Sequence, residues 1–231
     1  MRYGQPSIAA ALASCQQKRI ERLIVLPLFP QYCASTVGSV FECVTRQLSQ
    51  LPWQPSVDFI SGYATHHAYI EGLAQSVRDV WRARQQIATK SQTHALDRRH
   101  LILSFHGIPQ VQADRGDLYA QQCQQTAMAL ADALGLASDE WTMAFQSRFG
   151  WQTWLQPYLD QVLQEKIDQG IEYLDIICPG FSVDCLETLE EIRDDYSRQF
   201  VEMGGKDCYY IPALNARPDH IKALAAVIES H

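Results

Sequence analysis

The seven cysteines, at positions 15, 33, 43, 123, 178, 185 and 208, include no Cys-x-x-Cys pair, and their number is odd. That argues against a disulfide frame and points to reduced thiols in a cytoplasmic protein. Basic runs are missing too. Nineteen Lys and Arg against 26 Asp and Glu leave a formal charge of -7, which makes nucleic acid an unfavourable partner. No apolar run approaches the ~18 residues of a membrane-spanning helix. No internal repeat or low-complexity tract occurs. Leu12-Ala13-Ser14-Cys15, with Arg2 upstream, imitates a lipoprotein cleavage box, but the apolar segment before it is short. Pro6 and Ser7 read instead as the start of one amphipathic helix that continues through Gln16-Gln17-Lys18-Arg19.

What is present is alternation. Residues 23–29, 57–60, 101–105, 142–146, 173–178 and 208–211 read as strands. Helical periodicity covers residues 68–87, 118–134, 154–167, 184–203 and 218–228. Strands alternating with helices imply an α/β fold with parallel sheets. The polar stretch 89–99 reads as a linker between two Rossmann-like lobes, with the crevice between them as the ligand site.

Four segments can carry chemistry. The apolar run Leu101-Ile102-Leu103-Ser104-Phe105 ends in His106-Gly107-Ile108-Pro109, which places His106 at the carboxyl end of a buried strand, where open α/β sheets bind ligands. There it can take up a proton or hold a transition metal; a histidine tied to a backbone carbonyl is the plainer alternative. After the break at Pro179-Gly180, a helix is expected with Asp184 as N-cap and Leu186, Leu189, Tyr196 and Phe200 on its packing face. Glu187, Glu191 and Asp195 recur every fourth residue as one acidic stripe, each step rising ~6 Å. Such a stripe is usually a solvated face, yet like charges at this spacing repel, so folding alone gives little reason for it. A line of carboxylates can also pass protons or bind a divalent cation. The hydroxyl-rich segment after Leu26-Pro27-Leu28-Phe29, with Ser35, Thr36 and Ser39, can hold an anion or simply cap a helix. Arg148 can pair with a carboxylate, and Trp151 and Trp154 can line a flat apolar pocket or belong to the core. His66-His67 opens a helix, where a cap or surface role is expected for either.

Taken together, these segments resemble the ferrochelatase family. The matching pieces include Leu26 to Ser39, Thr65-His66-His67, Ser104-Phe105-His106-Gly107-Ile108-Pro109, Gln146 to Gly150 and Cys185-Leu186-Glu187-Thr188-Leu189. The resemblance implies two Rossmann-like, chelatase-type lobes with a porphyrin between them. It divides the chain into 1–97, an incomplete N-terminal lobe on which residues 212–231 pack back, and 98–211, the C-terminal lobe. It implies insertion of Fe²⁺ into protoporphyrin IX to give protohaem, the last step of haem biosynthesis. His106 and Glu187 would be catalytic and metal-contacting, Glu191 and Asp195 a proton or metal relay, and Tyr32, Ser35, Thr36 and Arg148 porphyrin-binding. No cofactor beyond the substrate iron is implied, and no [2Fe–2S] cluster, because no cysteine follows Cys208. A cytoplasmic location and a monomeric full-length form follow from the same resemblance, which leaves peripheral membrane association open. The family's chains start earlier by roughly 80–90 residues, nearly three strand–helix steps at ~30 residues each. The expectation is therefore an N-terminally shortened chain with an exposed sheet edge. The alternatives are a chelatase for coproporphyrin or a cobalt-receiving precorrin, and a tetrapyrrole-binding fragment without turnover.

Overall fold

Among the described residues, six short parallel strands fall into two sheets of unequal quality. The computed structural model describes residues 3–90 and 99–231. The small sheet holds β1 (Arg22–Val25) and β2 (Ser56–Phe59), joined in parallel with Arg22 opposite Ser56. The larger holds β3 (Arg99–His106), β4 (Trp141–Gln146), β5 (Tyr173–Ile177) and β6 (Asp207–Ile211) in the order β4-β3-β5-β6, every pair parallel. β3 lies inside the sheet and is buried on both faces, which is why its sequence reads as an unbroken apolar run.

Helices connect the strands. α1 (Ile8–Gln17) starts at Ser7, whose hydroxyl accepts from the Ala10 N–H at 3.1 Å. α2 (Ser39–Leu48) follows a π turn at Ala34–Gly38. α3 (His67–Lys90) is the longest helix among the described residues, and it packs against both α5 (Tyr119–Leu134) and α9 (Pro218–Glu229). α4 (Gln110–Asp114) and α6 (Leu159–Asp168) follow β3 and β4. After β5 comes a continuous helical stretch in three parts: α7 (Leu186–Thr188), a π segment (Leu189–Tyr196) and α8 (Ser197–Glu202).

The alternation agrees with expectation; several boundaries do not. The first strand stops at Val25 rather than residue 29, because Pro27 and Pro30 have no N–H to donate to a ladder. The helix expected from residue 154 begins at Leu159. Residues 154–158 are instead stitched to the strand ends: Phe145 N–H donates to Pro157 O and Leu155 N–H to Ile108 O, both at 2.9 Å. Asp184 is not an N-cap; Cys185 takes that place in extended backbone. Of the expected packing face, Phe200 is buried but Leu186 is 71% exposed. Most of the linker at 89–99 lies outside the described residues.

One apolar core crosses from α3 to the larger sheet, with Tyr69, Leu73 and Val77 against Leu101, Leu103, Phe105 and Leu130. A second lies on the sheet's other face, where Leu159, Leu163, Leu174 and Phe200 meet. Among the described residues, the small sheet packs on a minor cluster around Leu12, Val44 and Leu48. Trp81 Nε1 and Arg84 both bond the fully buried carboxylate of Asp175, and Arg84 also pairs with Asp207, so α3 is tied to β5 and β6 by charge as well as by packing.

Candidate active site

The carboxyl ends of β3 and β5 and the loop after β1 enclose a cavity of about 430 Å³. Its wall includes Phe29, Ile108, Pro109, Trp154 and Phe181, and the polar groups facing it include Gln31, Ser35, Thr36, His106 and Glu187. A mostly apolar cleft with few convergent polar groups at strand ends is the usual form of a small-molecule site in this architecture.

His106 stands opposite Gln146 in the β3–β4 register. Its Nδ1 lies 2.6 Å from the Gly107 carbonyl, which can only accept, so Nδ1 carries the proton of the neutral ring. Nε2 is thereby left as the acceptor and ligand atom. Gly107 is required by close approach: a Cβ there would lie 3.0 Å from the Gln146 carbonyl and 3.1 Å from the Trp154 ring. The Trp154 ring in turn stands 6.5 Å from the imidazole.

Glu187 enters from the first turn of α7. The Cys185 thiol beside its carboxylate, the Glu187 N–H and the nearby His106 together hold the carboxyl below its ordinary value. Burial, and then the same carboxylate, push the Cys185 thiol up to about 11. One turn on, Glu191 is cradled: it accepts from the Ser147 N–H at 2.7 Å, the Ser147 hydroxyl at 2.5 Å and Gln146 Nε2 at 3.2 Å. Ser147 adopts φ 63° to present both donors, a left-handed backbone held by its surroundings at a strand end. Gln146 Nε2 also donates to the Glu187 carbonyl at 2.7 Å, so one buried amide fastens both acidic residues to the end of β4.

The start of this helix is held from behind. The Asp184 carboxylate accepts from Tyr210 OH and Asn215 Nδ2, both at 2.7 Å, and from Thr188 Oγ1 and the Ala213 N–H at 3.2 Å. Burial raises this carboxyl, but the hydrogen bonds outweigh burial and hold it below its ordinary value.

The structure thus brings His106, Glu187, Ser35 and Thr36 to one cavity and sets Glu191 just behind it. Asp195 sits outside on the helix surface, paired with Arg198 at 2.5 Å. Arg148 is bound to Asp160 at 3.1 Å and stacked 4.2 Å over Tyr158, and Tyr32 is not part of the cavity wall. Trp154, only 4% exposed, lines the cavity, whereas Trp151 is fully exposed. His67 begins α3, and the His66 carbonyl accepts from Tyr69 and Ile70 in its first turn. Sequence reasoning missed Gln31, Gln112 and Phe181 as cavity residues; their signal is long-range and leaves no local pattern. Among the described residues, no three His, Cys, Asp or Glu converge in an arrangement that could hold a metal.

A protein-family model described as Ferrochelatase matches residues 1–231. The sequence is 45% identical over 231 residues to a ferrochelatase of Nitrosococcus oceani, covering all of this chain and 60% of that one. It is 45% identical over 228 residues to a ferrochelatase of Hydrogenovibrio crunogenus, covering 99% and 57%. The chain therefore spans about three fifths of the length of these relatives. Among solved structures it is similar to SirB from Bacillus subtilis, with a TM-score of 0.66 and 14% identity over 98% of this chain and 78% of that one. It is also similar to CbiX, with a TM-score of 0.53 and 14% identity over 91% and 76%. At that identity the structures establish a shared fold.

Proposed function

Because this chain belongs to the ferrochelatase family, we propose that it inserts Fe²⁺ into protoporphyrin IX through His106 and Glu187. The observation that carries the reading is their convergence: a strand-end imidazole and an ionised carboxylate face one apolar cavity. A metal-free porphyrin carries two pyrrole N–H protons. Entry of Fe²⁺ releases both, so the reaction consumes porphyrin and Fe²⁺ and yields the iron porphyrin and two H⁺. Each proton needs an acceptor while the metal approaches. Nε2 of His106 and the carboxylate of Glu187 supply two, and both atom types also suit a borderline metal ion.

In this reading Ser35 and Thr36 contact the ring's carboxylates. Tyr32 and Arg148 serve from the rim, where Arg148 must exchange Asp160 for a substrate carboxylate. Glu191 receives protons or metal from Glu187, and Asp195 marks the outer end of that path. Iron is substrate here; the reading includes no iron–sulfur cluster. It also includes a cytoplasmic setting and a monomeric full-length protein. Among the described residues no helix is long and apolar enough to cross a membrane.

The test is product analysis with the purified chain, protoporphyrin IX, coproporphyrin and sirohydrochlorin, each with Fe²⁺ and Co²⁺. Preferential metallation of protoporphyrin with iron supports the proposal. Preferential metallation of another macrocycle reassigns the substrate. Macrocycle binding without metallation makes the chain a tetrapyrrole-binding fragment.

A further inference from the structure

We infer that the buried amide of Gln31 distinguishes a metal-free macrocycle from a metallated one, by accepting a hydrogen bond from a pyrrole N–H. This rests on the reading of the cavity given above. Gln31 lies in the loop after β1, is only 2% exposed, and lines the cavity that holds His106 and Glu187.

Its neighbours dictate which way the amide points. Nε2 donates to Thr126 Oγ1 at 2.9 Å and to the Pro179 carbonyl at 3.3 Å. The Pro179 carbonyl can only accept. The single Thr126 hydroxyl proton is taken up by Ala64 O at 2.8 Å or Gln122 O at 3.0 Å, so toward Gln31 that hydroxyl also accepts. A flipped amide would set its oxygen against both acceptors. The carbonyl oxygen Oε1 is therefore the free end. It accepts from no described residue, and it is not among the sealed unpaired atoms, which include His66 Nδ1 and His220 Nε2.

The cavity thus contains a fixed, neutral acceptor that cannot take up a proton and does not compete with His106 or Glu187 as a base. A metal-free tetrapyrrole offers two N–H donors at its centre, which reach an acceptor lying over the ring's face once they tilt from its plane. The metallated ring offers none, and against it Oε1 is left unpaired on an apolar face. One net hydrogen bond is worth about 3–10-fold in affinity. The device therefore favours substrate over product in the same cavity.

The experiment measures dissociation constants of the purified chain for metal-free protoporphyrin IX and for its square-planar nickel(II) complex, by quenching of tryptophan fluorescence. The unaltered chain is expected to prefer the metal-free ring by about 3–10-fold. Gln31→Met should abolish that preference by weakening metal-free binding alone. Thr126→Val keeps the Gln31 carbonyl, removes one of the two groups that orient it, and should reduce the preference in part. Equal weakening of both ligands in Gln31→Met, or a preference that persists, overturns the inference. So does equal affinity of the unaltered chain for the two rings, a result that needs no variant to fold. Failure to bind either macrocycle overturns the reading of the cavity itself, whereas binding without preference overturns only the role of Gln31.

Discussion

Because Nδ1 of His106 is committed to the Gly107 carbonyl, whatever the imidazole does in the cavity passes through Nε2. His106→Ala removes that atom while the strand keeps its ladder, so the fold should survive and metal insertion should fall by at least ~100-fold. Activity within a few-fold of the unaltered chain would remove His106 from the mechanism. The acidic residues admit a sharper comparison. Glu187 faces the cavity, its carboxyl held low by Cys185, and Glu190 on the same helix is not part of the wall. Glu187→Gln keeps shape and removes charge, so it should cost ~100-fold or more in rate, against less than about twofold for Glu190→Gln. Equal losses would reduce the acidic stripe to a solvated face.

The element that carries Glu187 depends on a carboxylate that does not face the cavity. Asp184 gathers four donors from β6, the loop after it and the helix itself. In Asp184→Asn, the new NH₂ group meets the Asn215 NH₂, two donors face to face, which should destabilise the chain by about 1–3 kcal/mol at pH 7. A carboxyl held low in the folded state stabilises above its unfolded value of ~3.9, and that contribution fades as pH falls through the folded value. The variant's deficit in urea denaturation should therefore be full at neutral pH and shrink below pH ~4; a constant deficit would mean the charge is not involved. Here the limits of sequence reading are clearest. The strand before His106 is legible because both faces are buried and the residues say so. The acidic stripe is legible because its spacing is regular. Three features leave no local mark: the capture of Asp184 by Tyr210 and Asn215, the π winding of Leu189–Tyr196, and the Gln31 tether to Pro179. Each depends on groups distant in sequence or on a hydrogen-bond shift that composition does not record. The late start of α6 is a nearer miss. Pro157 is visible, but only the pairing of residues 154–158 with Phe145 and Ile108 shows why the helix waits.

At the scale of the whole molecule, the larger sheet is sealed on both faces and the smaller one is not. β3 buries six consecutive residues, whereas none of the eight residues of β1 and β2 is fully buried. Charge fastens α3 to the sealed part: Arg84 meets Asp175, whose carboxyl burial pushes up despite that pairing. Arg84→Met strands that carboxylate, and should cost about 3–5 kcal/mol in global stability. Among the described residues, the small sheet is bridged by charge through the exposed pair of Arg22 with Asp58 at 2.8 Å, which solvent screens. Val57 and Phe41 are exposed beside it, the Phe41 ring edge-on to Phe59 at 5.1 Å, and the sheet's two-strand order leaves unpaired edges. Short parallel edges with apolar neighbours invite pairing with another chain. The chain should therefore self-associate with rising concentration in sedimentation velocity. Val57→Lys places a charge on the exposed residue nearest the middle of β2, and should shift association to about tenfold higher concentration while leaving the unfolding of the larger sheet unchanged. A chain that stays monomeric across the micromolar range, or a Val57→Lys variant that associates equally well, would show that the small sheet is adequately covered by α1 and α2.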